Sequence, residues 1–310
     1  MKADEAISLA VLIPVYNSLN YTKTALVNLS ESIKQAAFSN IDHQIQILIF
    51  DDGSSDNTFE YVSKNYPGII LLRGDGNNWW GGSINRMAHI AFENLMCTHI
   101  LLWNNDIIIK NDYFTELLSI LAKQDGNSLT GSKIFFADKP GIIWLMGGYF
   151  NPMTGKKTLN GFKRPDSPEF ERTIDADWLT GMGTVIPKTV VDKIGYLDSE
   201  QFPQYHGDVD FSYRAKCEGF KLRVFPQLKI WNCVQNTGLD HQLSFRKLIE
   251  SMNSTRSIYN VKKDIEFYHK HVKSPLAYFA LFDKYTRYLW NFFRLKLKPA
   301  RKPHGKTRVH

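Results

Sequence analysis

Aspartates follow several apolar runs in this sequence, and three of them could carry chemistry. Asp52, Asp106 and Asp208 each stand in a short polar cluster. One carboxylate can accept a hydrogen bond from a nucleobase N–H, and another can hold Mg²⁺ or Mn²⁺, since these ions prefer hard oxygen ligands. A third, clear of the metal, can act as a general base. The three aspartates can act in one reaction only if the fold brings them to one place.

Each aspartate also has a plain structural interpretation. The Asp51-Asp52-Gly53 segment equally fits a turn with a helix cap, and a lone aspartate such as Asp106 is more often a cap than a ligand. Asp208 and Asp210 share a face in an extended segment but diverge on a helix. The order of the clusters is therefore more informative than any one of them.

Four apolar runs precede four polar clusters in the first third of the chain. The runs are residues 8–15, 44–50, 68–72 and 99–103, separated by helical patterns at 21–36, 57–65 (capped by Asp56) and 84–96. The clusters are residues 14–17, 51–52, 75–82 and 104–106. This alternation predicts an α/β fold with parallel strands, in which ligands bind beyond the carboxyl ends of the strands.

The middle of the chain is less regular. Strands are predicted at 132–136, 142–150, 177–186 and 222–225, and helices at 187–194 and from the segment 205–210 to Gly219. Residues 156–172 are polar with two prolines and are predicted to form a surface loop. Helical structure is predicted again beyond residue 242.

Cysteine usage and hydropathy indicate the cellular compartment in which the protein is expected. Cys97, Cys217 and Cys233 have no CxxC spacing, which favours buried thiols in a reducing compartment. No apolar stretch reaches the roughly 18–20 residues that cross a bilayer. The first residues carry acids where a signal peptide needs bases. We expect a cytoplasmic protein that lies on the inner face of the cell membrane.

Charge is distributed unevenly along the chain. Residues 1–240 contain 22 basic and 27 acidic side chains, whereas residues 241–310 contain 16 basic and 4 acidic ones. Residues 275–298 mix aromatic with basic side chains, which is typical of helices lying on anionic membranes. The alternative is an amphipathic helix packed on the domain, with its basic face solvated. Nucleic acid is not expected as a partner, because no segment resembles a nucleic-acid-binding module.

The order of the clusters resembles that of the family 2 glycosyltransferases. The resemblance covers roughly residues 8–236 and is carried by residues 13–17 (IPVYN), 50–56 (FDDGSSD), 104–106 (NND) and 207–210 (GDVD). It implies the GT-A fold, a Rossmann-like and mostly parallel central sheet with helices on both faces. Residues 1–240 would form this nucleotide-sugar-binding and catalytic domain, and residues 241–310 a helical, basic C-terminal extension.

The resemblance implies an inverting transferase that takes a sugar from a nucleoside diphosphate. Asp208 would be the general base, and Asp106 would hold the divalent metal (Mg²⁺ or Mn²⁺) at the leaving diphosphate. The expected nucleotide-binding residues are Pro14, Tyr16, Asn17, Asp52, Gly53, Asn77, Trp80, Gly81, Gly82, Asn85 and Asn105. The expected acceptor-side residues are Trp178, Thr180, Gly181, His206 and Asp210. Trp178 serves equally as a stacking platform or as a core residue, and His206 as a structural residue or a substrate contact.

Residues 76–85 (GNNWWGGSIN) and 233–236 (CVQN) look like a bacterial branch linked to rhamnosyl or related hexosyl transfer in surface-polysaccharide and lipopolysaccharide synthesis. The resemblance implies a glycan or lipid-linked acceptor. It leaves the oligomeric state open, with a homodimer among the options.

Three positions depart from the family pattern. Residues 104–106 offer one carboxylate, Gly207 replaces the acidic neighbour of Asp208, and Asn232 stands near where many relatives have a metal-facing histidine. These departures leave a non-catalytic nucleotide- or sugar-binding protein as an alternative. A sugar nucleotidyltransferase is a weaker one, because residues 15–18 (VYNS) lack a glycine-rich triphosphate loop.

Overall fold

The computed structural model describes residues 6–233 and 244–296, which divide into two compact units. The sheet unit comprises the described residues up to 151 and from 157 to 233. The helical unit comprises residues 152–156 and 244–296. The predicted domain boundary at residue 240, residues 234–236 of the predicted motif and the chain beyond residue 296 lie outside the described residues.

The described strands and helices alternate in the first part of the chain. The strands are β1 (Ile7–Val15), β2 (His43–Asp51), β3 (Ile70–Arg73), β4 (His99–Leu102), β5 (Ile107–Ile109), β6 (Ser128–Phe136), β7 (Lys139–Leu145), β8 (Gly148–Asn151), β9 (Lys156–Leu159), β10 (Ile174–Asp175), β11 (Thr184–Pro187) and β12 (Lys221–Asn232). The helices are α1 (Leu19–Ala36), α2 (Thr58–Asn65), α3 (Trp79–His89), α4 (Tyr113–Leu121), α5 (Lys188–Ile194), α6 (Gly207–Cys217), α7 (Phe245–Asn253), α8 (Val261–His271) and α9 (Tyr278–Lys296).

The central sheet has the strand order β10-β12-β6-β11-β4-β1-β2-β3, with β5 on β12 and β7 on β6. The first four strands pair in parallel, as predicted. β11 joins them antiparallel to β4, so the other half of the sheet is mixed. β8 and β9 form a separate two-stranded sheet.

The apolar character of β1 follows from its central position. Seven of its nine residues are buried, so protein covers both faces of the strand. Ala10 and Leu12 share a core cluster with Ile84 and Met87 of α3. α3 is thereby fixed against the sheet, with its first turn at the carboxyl ends of the strands.

Several elements differ from the sequence prediction, among them β9, which lies in the predicted surface loop, and the predicted strand at 142–150, which is divided between β7 and β8. α3 begins at Trp79, five residues earlier than predicted, and continues into a π-helical turn at Ile90–Asn94. The strand predicted at 177–186 is reduced to β11. β12 extends to Asn232 through Pro226, and its register with β6 shifts between Phe225 and Lys229. A bulge there tolerates a proline that reads as a strand end.

In the helical unit, residues 152–156 dock against the C-terminal helices. The Tyr268 hydroxyl donates to the Gly155 carbonyl oxygen at 2.7 Å, and the Lys273 N–H donates to that of Pro152 at 2.9 Å. Asp264 is buried and accepts from the Lys284 ammonium (2.5 Å) and the Tyr285 hydroxyl (2.6 Å). Among the described helices, none has the length and hydropathy of a membrane span.

Candidate active site at the strand ends

The carboxyl ends of the first four strands meet, as the sequence predicts. The Asp52 N–H donates to the Val15 carbonyl oxygen at 3.0 Å, and the Trp103 N–H donates to that of Leu12 at 3.0 Å. Asn17 adopts a positive φ of 46° and accepts from the Ser55 N–H at 2.8 Å. These bonds bring the clusters at residues 14–17, 51–56 and 103–106 to one edge of the sheet.

Asp52 organises the loop that follows β3. Its Oδ1 accepts from the Gly76 N–H (3.1 Å) and the Asn78 side-chain amide (2.9 Å). Its Oδ2 accepts from the backbone N–H groups of Asn78 (3.0 Å) and Trp79 (2.9 Å). Four donors satisfy the carboxylate, so Asp52 has a loop-holding role that the sequence did not predict, beside the predicted contact with a nucleobase.

The first residue of α3 is conformationally strained. Trp79 has a φ of 55°, a left-handed conformation that is rare for a bulky side chain. The N–H of this residue donates to Asp52 Oδ2, and its carbonyl oxygen accepts from the Ser83 hydroxyl at 2.5 Å. Strain of this kind collects at ligand-binding sites, where the surrounding structure holds it in place.

The predicted nucleotide-binding residues fall into two groups in the structure. Tyr16 and Asn77 are exposed, and Pro14, Gly53 and Gly82 are partly exposed. Gly81 and Asn85 instead hold α3 to the segment 197–203: the Gly81 N–H donates to the Pro203 carbonyl oxygen (2.7 Å), and the Asn85 amide bonds both the N–H and the carbonyl oxygen of Leu197. The structure therefore gives Gly81 and Asn85 a packing role.

Residues 104–106 make three different contacts. The Asn104 side-chain oxygen accepts from the Trp80 indole N–H at 3.1 Å. The Asn105 amide donates to the hydroxyls of Ser18 (2.7 Å) and Thr22 (2.8 Å) at the start of α1. Asn105 thus fastens α1 to the end of β4, and its amide hydrogens have protein acceptors.

Asp106 offers one carboxylate oxygen to a metal. Its Oδ1 is buried and has no hydrogen-bond partner, and burial raises the pKa of the carboxyl group. A buried carboxylate oxygen without a hydrogen-bond partner is suited to bind a cation. In residues 6–233 and 244–296, however, no three His, Cys, Asp or Glu side chains come together as a metal cluster. The site therefore fits a divalent ion that takes most of its ligands from substrate and water.

Asp208 lies in the first turn of α6. Its Oδ2 accepts from the Gly181 N–H at 2.8 Å, and its Oδ1 accepts from the Val209 N–H at 2.9 Å. Burial raises the pKa of Asp208, and these two N–H groups and the charge of Lys157 act in the opposite direction. A buried carboxylate with a raised pKa is a stronger base than a solvated one.

Trp80 and Gly181 connect Asp208 to residues 104–106. A β-carbon on Gly181 would fall 2.2 Å from the Trp80 ring atom Cζ2, so the ring packs directly on the Gly181 backbone. The same indole donates to Asn104, and the Gly181 N–H donates to Asp208. Contacts therefore run without a break from Asn104 through Trp80 and Gly181 to Asp208.

The segment before β11 is irregular, and two predicted acceptor-side residues are buried within it. The Trp178 ring packs on Gly148, whose β-carbon would fall 1.9 Å from it. The Thr180 carbonyl oxygen accepts from the Thr184 hydroxyl at 2.7 Å. Trp178 therefore has the core role rather than that of an exposed stacking platform.

Asp208 and Asp210 diverge because both lie on a helix. Asp210 is fully buried, and its Oδ2 accepts from the Arg214 Nε at 2.9 Å. The Arg214 guanidinium also donates to the carbonyl oxygens of Ile194 and Tyr196. The structure gives Asp210 a role in fixing α6, in place of the predicted acceptor contact.

Lys157 is a candidate site residue that the sequence prediction missed. Its ammonium lies 3.3 Å from Nδ1 of His206, which caps the start of α6 with a φ of 70°. The charge of Lys157 lowers the pKa of Asp208. The residue was assigned to a polar surface loop, whereas it lies on β9. The polar turn at residues 151–155 was a hairpin signal that could have revealed it.

Comparison with known proteins identifies the family. A family model described as Glycosyl transferase family 2 matches residues 10–174, more than half of the chain. The chain belongs to glycosyl transferase family 2. The match contains the first four strand ends, Asp52 and Asp106, and ends before Gly181 and Asp208.

Two curated relatives of this family 2 protein share low identity with it. The low-salt glycan biosynthesis hexosyltransferase Agl10 of Haloferax volcanii is 24% identical over 217 residues, which cover 68% of this chain and 64% of that protein. The galactofuranosyltransferase GlfT2 of Mycolicibacterium smegmatis is 19% identical over 213 residues, which cover 60% of this chain and 31% of that protein. The chain therefore spans less than two thirds of the length of either relative.

Solved structures confirm the predicted GT-A fold of the family 2 chain. The mannosyltransferase PcManGT from Pyrobaculum calidifontis, in complex with GDP-Man and Mn²⁺, superposes with a TM-score of 0.56 at 11% identity over 88% of this chain and 67% of that one. GalNAc-T7 with UDP, GalNAc and Mn²⁺ gives 0.53 at 14% identity over 88% and 56%. At sequence identities this low, the superpositions show similarity of fold alone.

Proposed function

We propose that this protein is an inverting hexosyltransferase that moves a sugar from a nucleoside diphosphate to a hydroxyl group. The observation that carries the proposal is the contact path from Asn104 through Trp80 and Gly181 to Asp208. It joins the strand ends, where the family has its donor site, to the half-buried carboxylate of Asp208, whose pKa is raised by burial. Hexosyltransferases among the relatives support the same class of reaction.

Asp208 acts as the general base in this proposal. Two backbone N–H groups hold its carboxylate, so the group presents one orientation to the acceptor hydroxyl. Burial raises the pKa of Asp208, which strengthens the carboxylate as a proton acceptor. The hydroxyl oxygen attacks the anomeric carbon as its proton passes to Asp208, and the bond to the diphosphate breaks on the opposite face. The configuration of the sugar inverts.

Asp106 would hold the divalent metal through its unpartnered oxygen. Such an ion, when bound, neutralises charge on the leaving diphosphate. Tyr16 directly follows β1 and is 48% exposed, which supports a role in stacking on the nucleobase. Asn77 and Gly82 lie beside the loop that Asp52 holds and offer polar groups to the ribose and the diphosphate.

The proposal also names the two substrates and the place of the reaction. The donor carries rhamnose or another hexose, and the acceptor is a glycan or a lipid-linked glycan in the synthesis of cell-surface polysaccharide. The reaction takes place on the cytoplasmic face of the membrane. The basic residues 241–310 support this location, because they favour contact with anionic lipid.

Hydrolysis of the donor tests the proposal without a known acceptor. We expect the purified chain to release nucleoside diphosphate slowly from one of a panel of UDP-, GDP-, dTDP- and CDP-sugars. A rise in melting temperature with the matching nucleotide should identify the same member of the panel. Nucleotide binding with no hydrolysis or transfer under any condition would instead establish a non-catalytic binding protein.

A further inference from the structure

α9 presents apolar side chains on two opposite sides. On one side, Leu281 and Phe292 are buried within the helical unit, and Phe292 lies 5.2 Å from Phe245 between ring centroids. Tyr288 stacks on Tyr259 at 3.8 Å from the same side. These contacts fix the rotation of α9 about its own axis, and so determine which residues face away from the unit.

The opposite side of α9 carries exposed aromatic residues, here called the aromatic stripe, of which Phe293 lies at the edge, 6.0 Å from Phe245 between ring centroids. They are Phe279 (70% exposed), Phe282 (71%), Trp290 (68%) and Phe293 (45%). Their spacing of three, eight and three residues places them within one face of a helix of 3.6 residues per turn. The stripe consists of two aromatic pairs on one face, separated by the exposed Thr286. Several large exposed aromatics on one helix face are unusual on a soluble protein and mark a surface that meets a partner.

Basic residues flank the aromatic stripe. Arg287 and Arg294 are exposed and lie one position after Thr286 and Phe293, on the edge of the same face. Asp283, paired with Arg287, is the single acidic residue of α9. The sequence after residue 296 adds five more basic residues and no acidic one. The charge beside the stripe therefore calls for an anionic partner.

We propose that the aromatic stripe docks on a membrane surface that contains anionic lipid. α9 lies parallel to the surface in this arrangement, with the four rings at the depth of the head groups and the arginines against lipid phosphates. A second copy of the chain fits less well, because a two-fold contact through the stripe would bring like charges together. The proposal concerns the helical unit and does not depend on the transferase reaction.

Vesicle sedimentation with the full chain tests the docking surface. We expect the protein to sediment with vesicles of phosphatidylcholine and phosphatidylglycerol, and much less with phosphatidylcholine alone. The Phe282→Ser/Trp290→Ser variant should bind the mixed vesicles at least about tenfold more weakly. Phe38→Ser is the matched control, since this ring is 88% exposed on the sheet unit and should leave binding unchanged. Circular dichroism would verify that each variant is folded.

Substitution of the two arginines provides a second test of the docking surface. Arg287→Gln/Arg294→Gln should weaken binding to the mixed vesicles by about tenfold and reduce its dependence on salt. Equal sedimentation of the wild-type protein with both vesicle types would overturn the proposal, as would unchanged binding in the folded stripe variant. Light scattering that shows a dimer which the stripe variant converts to a monomer, without loss of vesicle binding, would assign the surface to a second copy instead.

Discussion

The indole ring of Trp80 occupies the space in which a side chain on Gly181 would lie. The distance from an added β-carbon to the ring atom Cζ2 would be 2.2 Å, far below van der Waals contact. Because the ring rests on this backbone, the Gly181 N–H reaches Asp208 at 2.8 Å. The orientation of the proposed base thus depends on a glycine and a tryptophan 101 positions apart in the sequence.

Substitution of Gly181 should disturb the hydrogen bond from its N–H to Asp208, the proposed base. Gly181→Ala forces the Trp80 ring to move and should lower turnover about 10-fold or more, since small misplacements of a catalytic group are costly. Gly68→Ala is the matched control, because no atom lies within 4 Å of its added β-carbon. Donor hydrolysis and nucleotide melting shifts would be measured for both. Normal turnover in Gly181→Ala would show that this contact does not position Asp208.

Removal of the base itself should have a larger effect. We expect Asp208→Asn to reduce turnover about 10²–10⁴-fold while nucleotide affinity stays nearly constant, because the amide keeps the shape but cannot take the proton. The exposed Asp125→Asn provides the comparison at the same change of charge. A variant that retains most of its turnover would exclude Asp208 as the base.

The pH profile should report the charge of Lys157. A base works in its ionised form, so activity falls as pH drops through the raised pKa of Asp208. Lys157 lowers that pKa, so Lys157→Met should move the acidic limb of kcat/KM to higher pH. Lys157→Arg keeps the charge beside His206 and should leave the limb in place. A limb that does not move in the methionine variant would mean that Lys157 does not act through Asp208.

Metal binding should depend on Asp106. We expect Mn²⁺ to raise the melting temperature further when the matching nucleoside diphosphate is present, and Asp106→Asn to remove that additional rise. EDTA should abolish transfer, and Mn²⁺ or Mg²⁺ should restore it. Asp42→Asn, an exposed position, should keep the metal-dependent shift. A shift that survives in Asp106→Asn would place the metal on other residues.

The helical unit should depend on its buried carboxylate. Asp264 is 2% exposed and accepts from Lys284 and Tyr285, so Asp264→Ala removes the acceptor that these two donors share. Lys284 and Tyr285 keep the carbonyl oxygens of Ile258 and Tyr259 as acceptors. We expect a loss of about 2 kcal/mol in the free energy of unfolding, since a charged hydrogen bond and a buried carboxylate are lost together. Asp283→Ala breaks an exposed ion pair with Arg287 on the same helix and should cost less than about 0.5 kcal/mol. Urea unfolding of the two variants compares them directly.

Local patterns in the sequence were sufficient for the parallel half of the sheet. β1, β2 and β4 are continuous apolar runs closed by polar turns, and this pattern is distinctive for strands buried on both faces. The meeting of the strand ends followed from that topology. The α/β fold was therefore predictable from these patterns, with Asp52 and Asp106 at the expected edge, whereas the enzyme family followed from the resemblance to the family 2 glycosyltransferases.

Other features depend on contacts between distant segments. α3 begins in a glycine-containing stretch that reads as a loop, and Asp52 holds its first residue in a left-handed conformation. β12 passes a proline because a bulge absorbs it. Lys157 gains its place from β9, far from Asp208 in the sequence. The contacts of α3 and β12 leave no periodic pattern, so sequence reasoning could not recover them. For Lys157, the polar turn at residues 151–155 was a local signal of the hairpin that carries it.

Asn105 opposes the placement of a second carboxylate beside Asp106. Its amide donates to Ser18 and to Thr22, and the single hydroxyl hydrogen of Thr22 is already given to the Ser18 carbonyl oxygen. An aspartate at 105 would add a second carboxylate beside Asp106, but it would face a lone pair on Thr22. A second carboxylate at this position would therefore loosen the attachment of α1 to the end of β4.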